Sequence, residues 1–358
     1  MCQSEAKGMD IKMKIKWGVI GCGGIAMRRT IPGMMLSQNS ELFAVMDTSF
    51  DVAKKVKEEF GAKNAFDTVE SLLAINEIDA VYIASPVFCH KEQAMLAADA
   101  KKHILLEKPM GLTVEESKEI NDYCKSKGVL LGVGLMMRYS SYHQKIKNLI
   151  SNGIIGEVVS MRAQLTCWYP KMPGNWRQEK SKSGGGALMD MGIHCIDLLQ
   201  YISDTKVEKV ACFAQNQTFN YSVDDSAALL MKMSNGSTAY VDSNFNIPDN
   251  AAKCRLEFYG TKGSILAEGT ISQVECGEIK LTLSDSSKGY SAIQNRAGND
   301  SMFIEVENGN MYEKEISDFS NCIIRNLSPS ISGEEAIYVQ KVVEKAYIAS
   351  NNLCYQNV

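Results

Sequence analysis

Several absences narrow this chain before any motif is considered. It has no basic surplus: 38 Lys and Arg stand against 42 Asp and Glu, a formal net charge of −4. That balance offers no electrostatic footing for nucleic acid or for an anionic membrane surface. No run approaches the roughly 20 apolar residues that span a bilayer. Residues 1–11 do not combine a basic start, an apolar core and a cleavage site. The expected setting is therefore cytoplasmic, and the expected partners are small molecules. The eleven cysteines include no C-x-x-C pair, so they read as buried thiols in a reducing compartment rather than as a disulfide framework or zinc site. Internal repeats, low-complexity tracts and flexible linkers are missing too. A chain of 358 residues then divides most simply into two compact domains, at roughly 100–200 residues each, sharing a tight cleft.

What is present begins with a strand at 14–20 that runs straight into Gly21-Cys22-Gly23-Gly24-Ile25-Ala26, a G-x-G-x-x-A turn opening a helix. In such a turn the first glycine makes the tight corner and the second lets backbone approach a pyrophosphate. The small residue at the third position, Ala26, lets helix pack on strand. The pyrophosphate would rest on the amino end of the helix. A second apolar strand, 42–46, ends in Asp47, 26 residues after Gly21. A carboxylate there accepts the adenosine ribose hydroxyls and repels a 2′-phosphate, so NAD is favoured over NADP. Arg28 and Arg29 read as the solvated face of the first helix.

Alternation of helix and strand continues. A helix at 52–60 is closed by Gly61, and Asp67 with Glu70 forms a capping-box start for the next. A buried strand at 80–85 ends in Ser85-Pro86, with His90 following beside the expected nicotinamide side of the cleft. A helix at 91–101 leads to a strand at 103–106, which breaks off into Glu107-Lys108-Pro109. This is how a sheet strand delivers reactive groups to the carboxyl edge of an open α/β domain. Thr113 and Glu116 cap a helix that stops at Gly128, and 129–134 is counted as the sixth strand. Six strands with short crossovers make a doubly wound parallel sheet, a Rossmann domain over residues 12–136.

After Gly134 the pattern becomes that of an α+β domain, 137–358. A helix at 141–151, with Gln144 completing its cap, precedes a strand in which Val159, Met161, Ala163, Leu165 and Cys167 alternate with more polar residues. Further β segments at 206–214, 226–233, 237–245, 255–259, 264–268 and 279–283 make a large, mostly antiparallel open sheet. Helices at 312–325 and 334–351, the latter with a Ser332/Glu335 capping box, would cover part of one face. The remaining open sheet predicts a homodimer or homotetramer. Within this domain the loop 169–183 leads through Gly184-Gly185-Gly186 into a helix at 187–201, where Asp190, His194 and Asp197 fall at i, i+4 and i+7 on one face. Polar groups stacked in an otherwise apolar helix need partners. No third ligand cluster accompanies Asp190 and His194, so no metal is expected.

The glycine turn, the Glu107-Lys108-Pro109 corner and the stretch from Gly184 through His194 to Asp197, in this order and spacing, resemble the glucose-fructose oxidoreductase, inositol dehydrogenase and rhizopine catabolism (Gfo/Idh/MocA) family. The likeness spans residues 14–353. It implies an NAD(P)-dependent oxidoreductase acting on a secondary hydroxyl of a sugar, sugar derivative, glycoside or cyclitol. It places Lys108, Asp190 and His194 in the catalytic group, and Trp176, Arg177, Arg138 and Tyr139 at the border of the substrate pocket. It also raises the expectation of a cis bond before Pro109. Gly21, Gly23, Gly24, Ile25, Ala26, Asp47, Ser85, Pro86, His90, Glu107 and Lys108 make up the expected cofactor site. In oxidation, His194 is assigned as general base, Lys108 as the cation beside the developing alkoxide, and Asp190 as the group that holds them. Two other classes fit the same residues: an NAD-dependent glycosidase that oxidises the sugar transiently, and a catalytically silent sugar or NAD sensor.

Overall fold

The computed structural model describes residues 14–284, 292 and 301–358. Residues 12 and 13, assigned above to the first domain, lie outside them. The first layer is a six-stranded parallel sheet of β1 (Ile15–Ile20), β2 (Ser40–Met46), β3 (Asn64–Phe66), β4 (Ala80–Ile83), β5 (His103–Glu107) and β6 (Leu131–Gly134), in the order β3-β2-β1-β4-β5-β6. β4 is buried throughout and β1 almost so, because helices cover both faces of such a sheet; this explains the continuous apolar runs. The count of six strands rests on five ranges; the strand left without one is β3, three half-buried residues at the sheet edge.

Register aligns the strand ends. Ile20 stands opposite both Met46 and Ile83, Ile83 opposite Leu106, and Glu107 opposite Gly134. The residues that follow, Gly21, Asp47 and Ala84, therefore emerge together with Glu107 and Lys108 along one carboxyl edge.

The connecting helices are α1 (Ile31–Leu36, preceded by a wide turn over Ala26–Thr30), α2 (Phe50–Phe60), α3 (Val69–Leu73), α4 (His90–Asp99) and α5 (Val114–Lys127). The cap of α3 differs from expectation. Thr68, rather than Asp67, accepts the Ser71 amide at 3.4 Å, because the chain is still extended at Thr68. At α5, Thr113 accepts the Glu116 amide at 3.1 Å while the Glu116 carboxylate takes the Leu112 amide at 2.9 Å.

The second layer begins with α6 (Ser141–Ser151). Its Ser140 side chain makes no cap bond, and the Gln144 amide group instead donates to the Arg138 carbonyl at 3.4 Å. Beyond it come β7 (Val158–Thr166), α7 (Lys180–Ser183), α8 (Ile193–Ser203), β8 (Val207–Gln215), β9 (Ser226–Met233), β10 (Thr238–Asn244), β11 (Leu256–Gly260), β12 (Gly263–Glu268), β13 (Glu278–Leu283) and β14 (Ser301–Phe303). The chain ends with α9 (Met311–Arg325), α10 (Gly333–Asn352) and β15 (Gln356–Asn357). Nine strands form one sheet, β14-β13-β12-β11-β7-β10-β9-β8-β15, antiparallel except for the β7–β10 pair. Its inner face buries Met161, Met231, Val241 and Phe258 against Leu198 of α8 and Val342 of α10. The opposite face leaves Phe213, Leu230 and Tyr240 exposed.

α9 corrects an expectation. Only its first turn, Met311 and Tyr312, joins the core beneath the antiparallel sheet; the rest turns back onto the parallel one, where Ile316 and Phe319 join Trp17, Leu42 and Leu105 in a single core. The Trp17 indole donates to Ser320 at 3.2 Å, and Asn39 donates to the Ser317 carbonyl at 2.9 Å. An apolar stripe shows that a helix has a buried face, but not which sheet receives it. Close approach depends on Gly33 of α1, where a Cβ would lie 2.7 Å from the Tyr312 Cβ. No helix of the described residues is long and apolar enough to cross a membrane.

Candidate active site

Between the carboxyl edge of the parallel sheet and the start of α8 lies a cavity of about 480 Å³. Gly24, Ile25, Arg28, Ser85, His90, Glu107 and Lys108 line it from the first layer, and Tyr169, Trp176, Arg177, Asp190 and His194 from the second. Lys108 crosses between the layers. Its ammonium donates to the Asp190 main-chain carbonyl at 2.8 Å and to Asp190 Oδ1 at 2.9 Å. The side chain is only 13% exposed, and an ammonium has three donors, so one remains for a ligand. The Lys108–Pro109 peptide is cis.

Asp190 does not sit in regular helix. The turn Leu188–Gly192 is wide, with the Ile193 amide donating to the Leu188 carbonyl five residues back. Wide turns of this kind recur at functional sites. The amino end of the turn is clamped by Asp224, whose carboxylate accepts the amides of Gly186 and Leu188, both at 2.8 Å, and the Tyr347 hydroxyl at 2.7 Å. Burial alone would raise the Asp190 carboxyl, but the Lys108 and Arg177 cations outweigh it and hold the group at about 2. His194 is buried with Nδ1 unpartnered. Burial, followed by the Lys108 charge, pushes its pKa well below the ordinary histidine value, against a smaller upward pull from Asp190. The imidazole is thus neutral, able to accept a proton, and beside a fixed cation.

The cofactor half is built on the glycine turn. Gly21 adopts φ +77°, and a Cβ there would meet the Ser85 amide nitrogen at 2.7 Å, so only glycine fits. The amides of Gly21 and Cys22 donate to the Met46 carbonyl at 2.9 and 3.0 Å. The Asp47 carboxylate accepts the amides of Gly23 at 3.2 Å and Ser49 at 3.1 Å, which ties the turn to the end of β2. Exposed backbone at Gly24, at the amino end of a helix, fits a dinucleotide diphosphate. Gly21, Gly23, Ala26 and Asp47 support or flank the cavity without lining it.

Glu107 receives the Tyr82 hydroxyl at 2.5 Å and the Lys108 amide at 3.2 Å; burial raises its pKa despite the Lys108 cation. The two ring nitrogens of His90 face the carbonyls of Pro109 and Ser85, each at 3.0 Å. Burial lowers its pKa to about 4, and the neutral ring, with a single N–H, donates to one of these two carbonyls where the Ser85 loop meets the Lys108 corner. Ser85 and Val87 line the cavity, while Pro86 between them does not.

Other placements depart from the sequence pattern. Arg28 lines the cavity rather than a purely solvated face. Arg138 is buried and its guanidinium is already engaged: Nε donates to both Asp197 oxygens at 3.0 Å, one terminal nitrogen donates to Asp197 at 2.6 Å, and the other contacts Glu335. Asp197 therefore leaves the Asp190–His194 group and serves a buried ion pair. Tyr139 donates to Asp318 at 2.7 Å. Neither Arg138 nor Tyr139 lines the cavity; their neighbours Met136 and Met137 do. Trp176 and Arg177 do line it, the guanidinium 4.3 Å from the indole centroid. Tyr169, Phe245 and Tyr312 also line it. Tyr169 falls in the loop singled out above, whereas nothing in the sequence pattern marks the other two.

The chain and its fold have counterparts in known proteins. The model of an oxidoreductase family with an NAD-binding Rossmann fold matches residues 15–135, and that of the GFO/IDH/MocA C-terminal domain matches residues 143–266. Oxidoreductase P35 of Formosa agariphila is 32% identical over 261 residues, covering 71% of this chain and 79% of its own. The 1,5-anhydro-D-fructose reductase of Ensifer adhaerens is 26% identical over 324 residues, 90% of this chain and 92% of its own. The crystal structure of an aldose–aldose oxidoreductase from Caulobacter crescentus, complexed with glycerol, shares the fold with a TM-score of 0.86 and 22% identity, over 96% of this chain and 100% of that one. With both halves matched in order, this chain belongs to the GFO/IDH/MocA oxidoreductase family, a family of sugar and cyclitol oxidoreductases acting on CH–OH groups.

Proposed function

We propose that the protein is an NAD-dependent dehydrogenase for a secondary hydroxyl of a sugar, sugar derivative, glycoside or cyclitol, with Lys108, Asp190 and His194 as its catalytic residues. The observation that carries this reading is the Lys108 ammonium, fixed at 2.8 and 2.9 Å on Asp190 with a donor to spare, in the same cavity as His194. When bound, the nicotinamide supplies the hydride acceptor. The chain supplies the rest. His194 takes the hydroxyl proton, Lys108 donates to the substrate oxygen as negative charge grows on it, and Asp190 keeps the ammonium aimed. Trp176 and Arg177 bound the substrate end of the cavity.

Asp47 supports NAD over NADP, since its carboxylate stands at the end of β2 where a 2′-phosphate would be repelled. Exposed Phe213, Leu230 and Tyr240 on the open sheet support assembly as a homodimer or homotetramer through that face. The ten described cysteines are all unpaired, which supports a reducing, cytoplasmic setting. One panel of inositols, free sugars and glycosides, assayed for NAD reduction and glycoside cleavage together, tests the assignment. Stoichiometric reduced cofactor from a polyol or sugar upholds it. Glycoside cleavage without net reduction assigns the transient-oxidation chemistry instead, and no turnover of any kind leaves a sensor.

A further inference from the structure

Helix α6 carries a histidine that neither the fold nor the chemistry above employs. His143, its third residue, is fully buried. Nδ1 of this ring lies 2.8 Å from the Met137 carbonyl, and a carbonyl only accepts, so Nδ1 holds a proton. Burial lowers the ring's pKa to about 4, against the upward pulls of that carbonyl and of the Glu275 carboxylate. The imidazole is therefore neutral, and its Nε2 is a bare acceptor, buried and without a hydrogen-bond partner among the described residues. Glu275 is itself engaged: one oxygen accepts the Gly309 amide at 2.8 Å, and the other lies 3.5 Å from the Lys314 ammonium, which donates to Ser141 at 2.7 Å. Buried polar atoms in folded proteins are almost always paired, so the bare Nε2 marks where a donor belongs.

The complementary atom is on α8, which packs against α6. Nδ1 of His194 is also buried and unpartnered among the described residues, while the ring lines the cavity together with Met137, whose carbonyl fixes His143. A neutral imidazole has a single N–H, so a base that takes a proton at Nε2 carries its own at Nδ1 and needs an acceptor there. Burial and Lys108 set the low pKa of His194, and His143 adds to them, which puts the two rings within electrostatic reach of one another. We propose that His143 is a positioning residue for the oxidation: across one buried water its Nε2 takes up the hydrogen bond of the His194 Nδ1–H and holds the tautomer whose Nε2 accepts the substrate's hydroxyl proton. The water accepts from His194 and donates to His143, as buried waters between polar atoms do. When the substrate O–H bond breaks, an N–H bond forms at His194 Nε2, and the imidazolium keeps its Nδ1 proton on the water. The inference rests on His194 as the base of the proposed reaction.

The chain has only 4 histidines, so isotopic labelling of histidine nitrogen reads the tautomer of each ring by nuclear magnetic resonance, with His194→Gln and His143→Phe to assign the signals. In the full parent chain at neutral pH, His194 and His143 should both carry their proton on Nδ1. His143→Phe keeps an aromatic ring and removes the acceptor. In it the His194 signals should move towards the Nε2–H tautomer, and kcat for the best substrate of the panel should fall about tenfold or more, part of the 10²–10⁴ that a positioned base supplies. KM should change by less than about threefold. His143→Gln, with an amide oxygen to accept in place of Nε2, should recover most of the lost kcat. A parent whose His194 is protonated at Nε2 overturns the proposal, whether or not the phenylalanine variant folds. So does a kcat lost in His143→Phe with the His194 tautomer unchanged, the mark of a merely structural residue. A changed tautomer with kcat within about twofold of the parent's upholds the contact and overturns His194 as the base, which keeps the two failures apart.

Discussion

Replacing Asp190 by asparagine separates what the carboxylate does for folding from what it does for catalysis. The main-chain acceptor of Lys108 at 2.8 Å is untouched, while the contact at 2.9 Å changes from carboxylate to amide. The ammonium keeps its charge, so an ion pair becomes a hydrogen bond from a cation to a neutral amide oxygen, a loss of at most about 1.5 kcal/mol, the spread of hydrogen bonds to charged groups. The Asp190 side chain is 34% exposed, so solvent screening trims the difference to about 1 kcal/mol or less. At about 2–4 °C per kcal/mol, Tm should fall by only a few degrees.

Under the proposed mechanism the transition state loses more. Lys108 is no longer held by charge where the alkoxide forms, and loss of one preorganised electrostatic contact of this kind costs about 10²–10³ in kcat. His194 also loses the one carboxylate that raises its pKa, leaving burial and Lys108 to lower it further. Because a lowered pKa keeps the imidazole neutral to more acid pH, the acid limb of kcat/KM for oxidation lies below about 6.5 in the parent. In Asp190→Asn it should move lower still. Initial rates of cofactor reduction across pH, beside thermal melting, read both effects. A variant that keeps kcat within threefold of the parent at every pH would refute the assignment of Asp190.

Asp197→Asn should do the reverse. The Arg138–Asp197 pair is 8% and 1% exposed, and weakening a buried pair leaves Arg138 short of its counter-charge, at a cost approaching about 3 kcal/mol. Melting should fall by roughly 5–10 °C while kcat of the folded enzyme changes far less than in Asp190→Asn; lost kcat with unchanged melting would return Arg138 to the substrate site. Asp47→Ala removes the acceptor of the ribose hydroxyls and the charge that opposes a 2′-phosphate. The ratio of kcat/KM for NAD over NADP should drop by about tenfold or more, the worth of about 1.4 kcal/mol, and an unchanged ratio would mean that Asp47 serves only the Gly23 turn.

Much of the carboxyl edge of the parallel sheet was legible because its signals are local. The glycine turn, Asp47 and the Glu107-Lys108-Pro109 corner each end a continuous apolar strand, and aligned register then brings them to one edge without further instruction. Asp190 and His194 were legible as polar groups in an apolar helix. Arg138 and Asp197 show where that logic stops: a buried arginine can serve a ligand or a carboxylate, and only the fold shows Asp197 and Glu335 closing around it. Tyr312 was hidden for another reason. Its helix has an ordinary apolar stripe, and the choice between two sheets depended on a non-local contact with Gly33, roughly 280 residues earlier in the chain.

The central claim is that the ammonium of Lys108 stands where the alkoxide forms, and Lys108→Met, which keeps the stem and removes the charge, tests it most directly. With the best substrate from the panel and saturating cofactor, the account expects kcat to fall by at least about 10²-fold while binding of the reduced dinucleotide stays within a few-fold of the parent. Full turnover by Lys108→Met would contradict it.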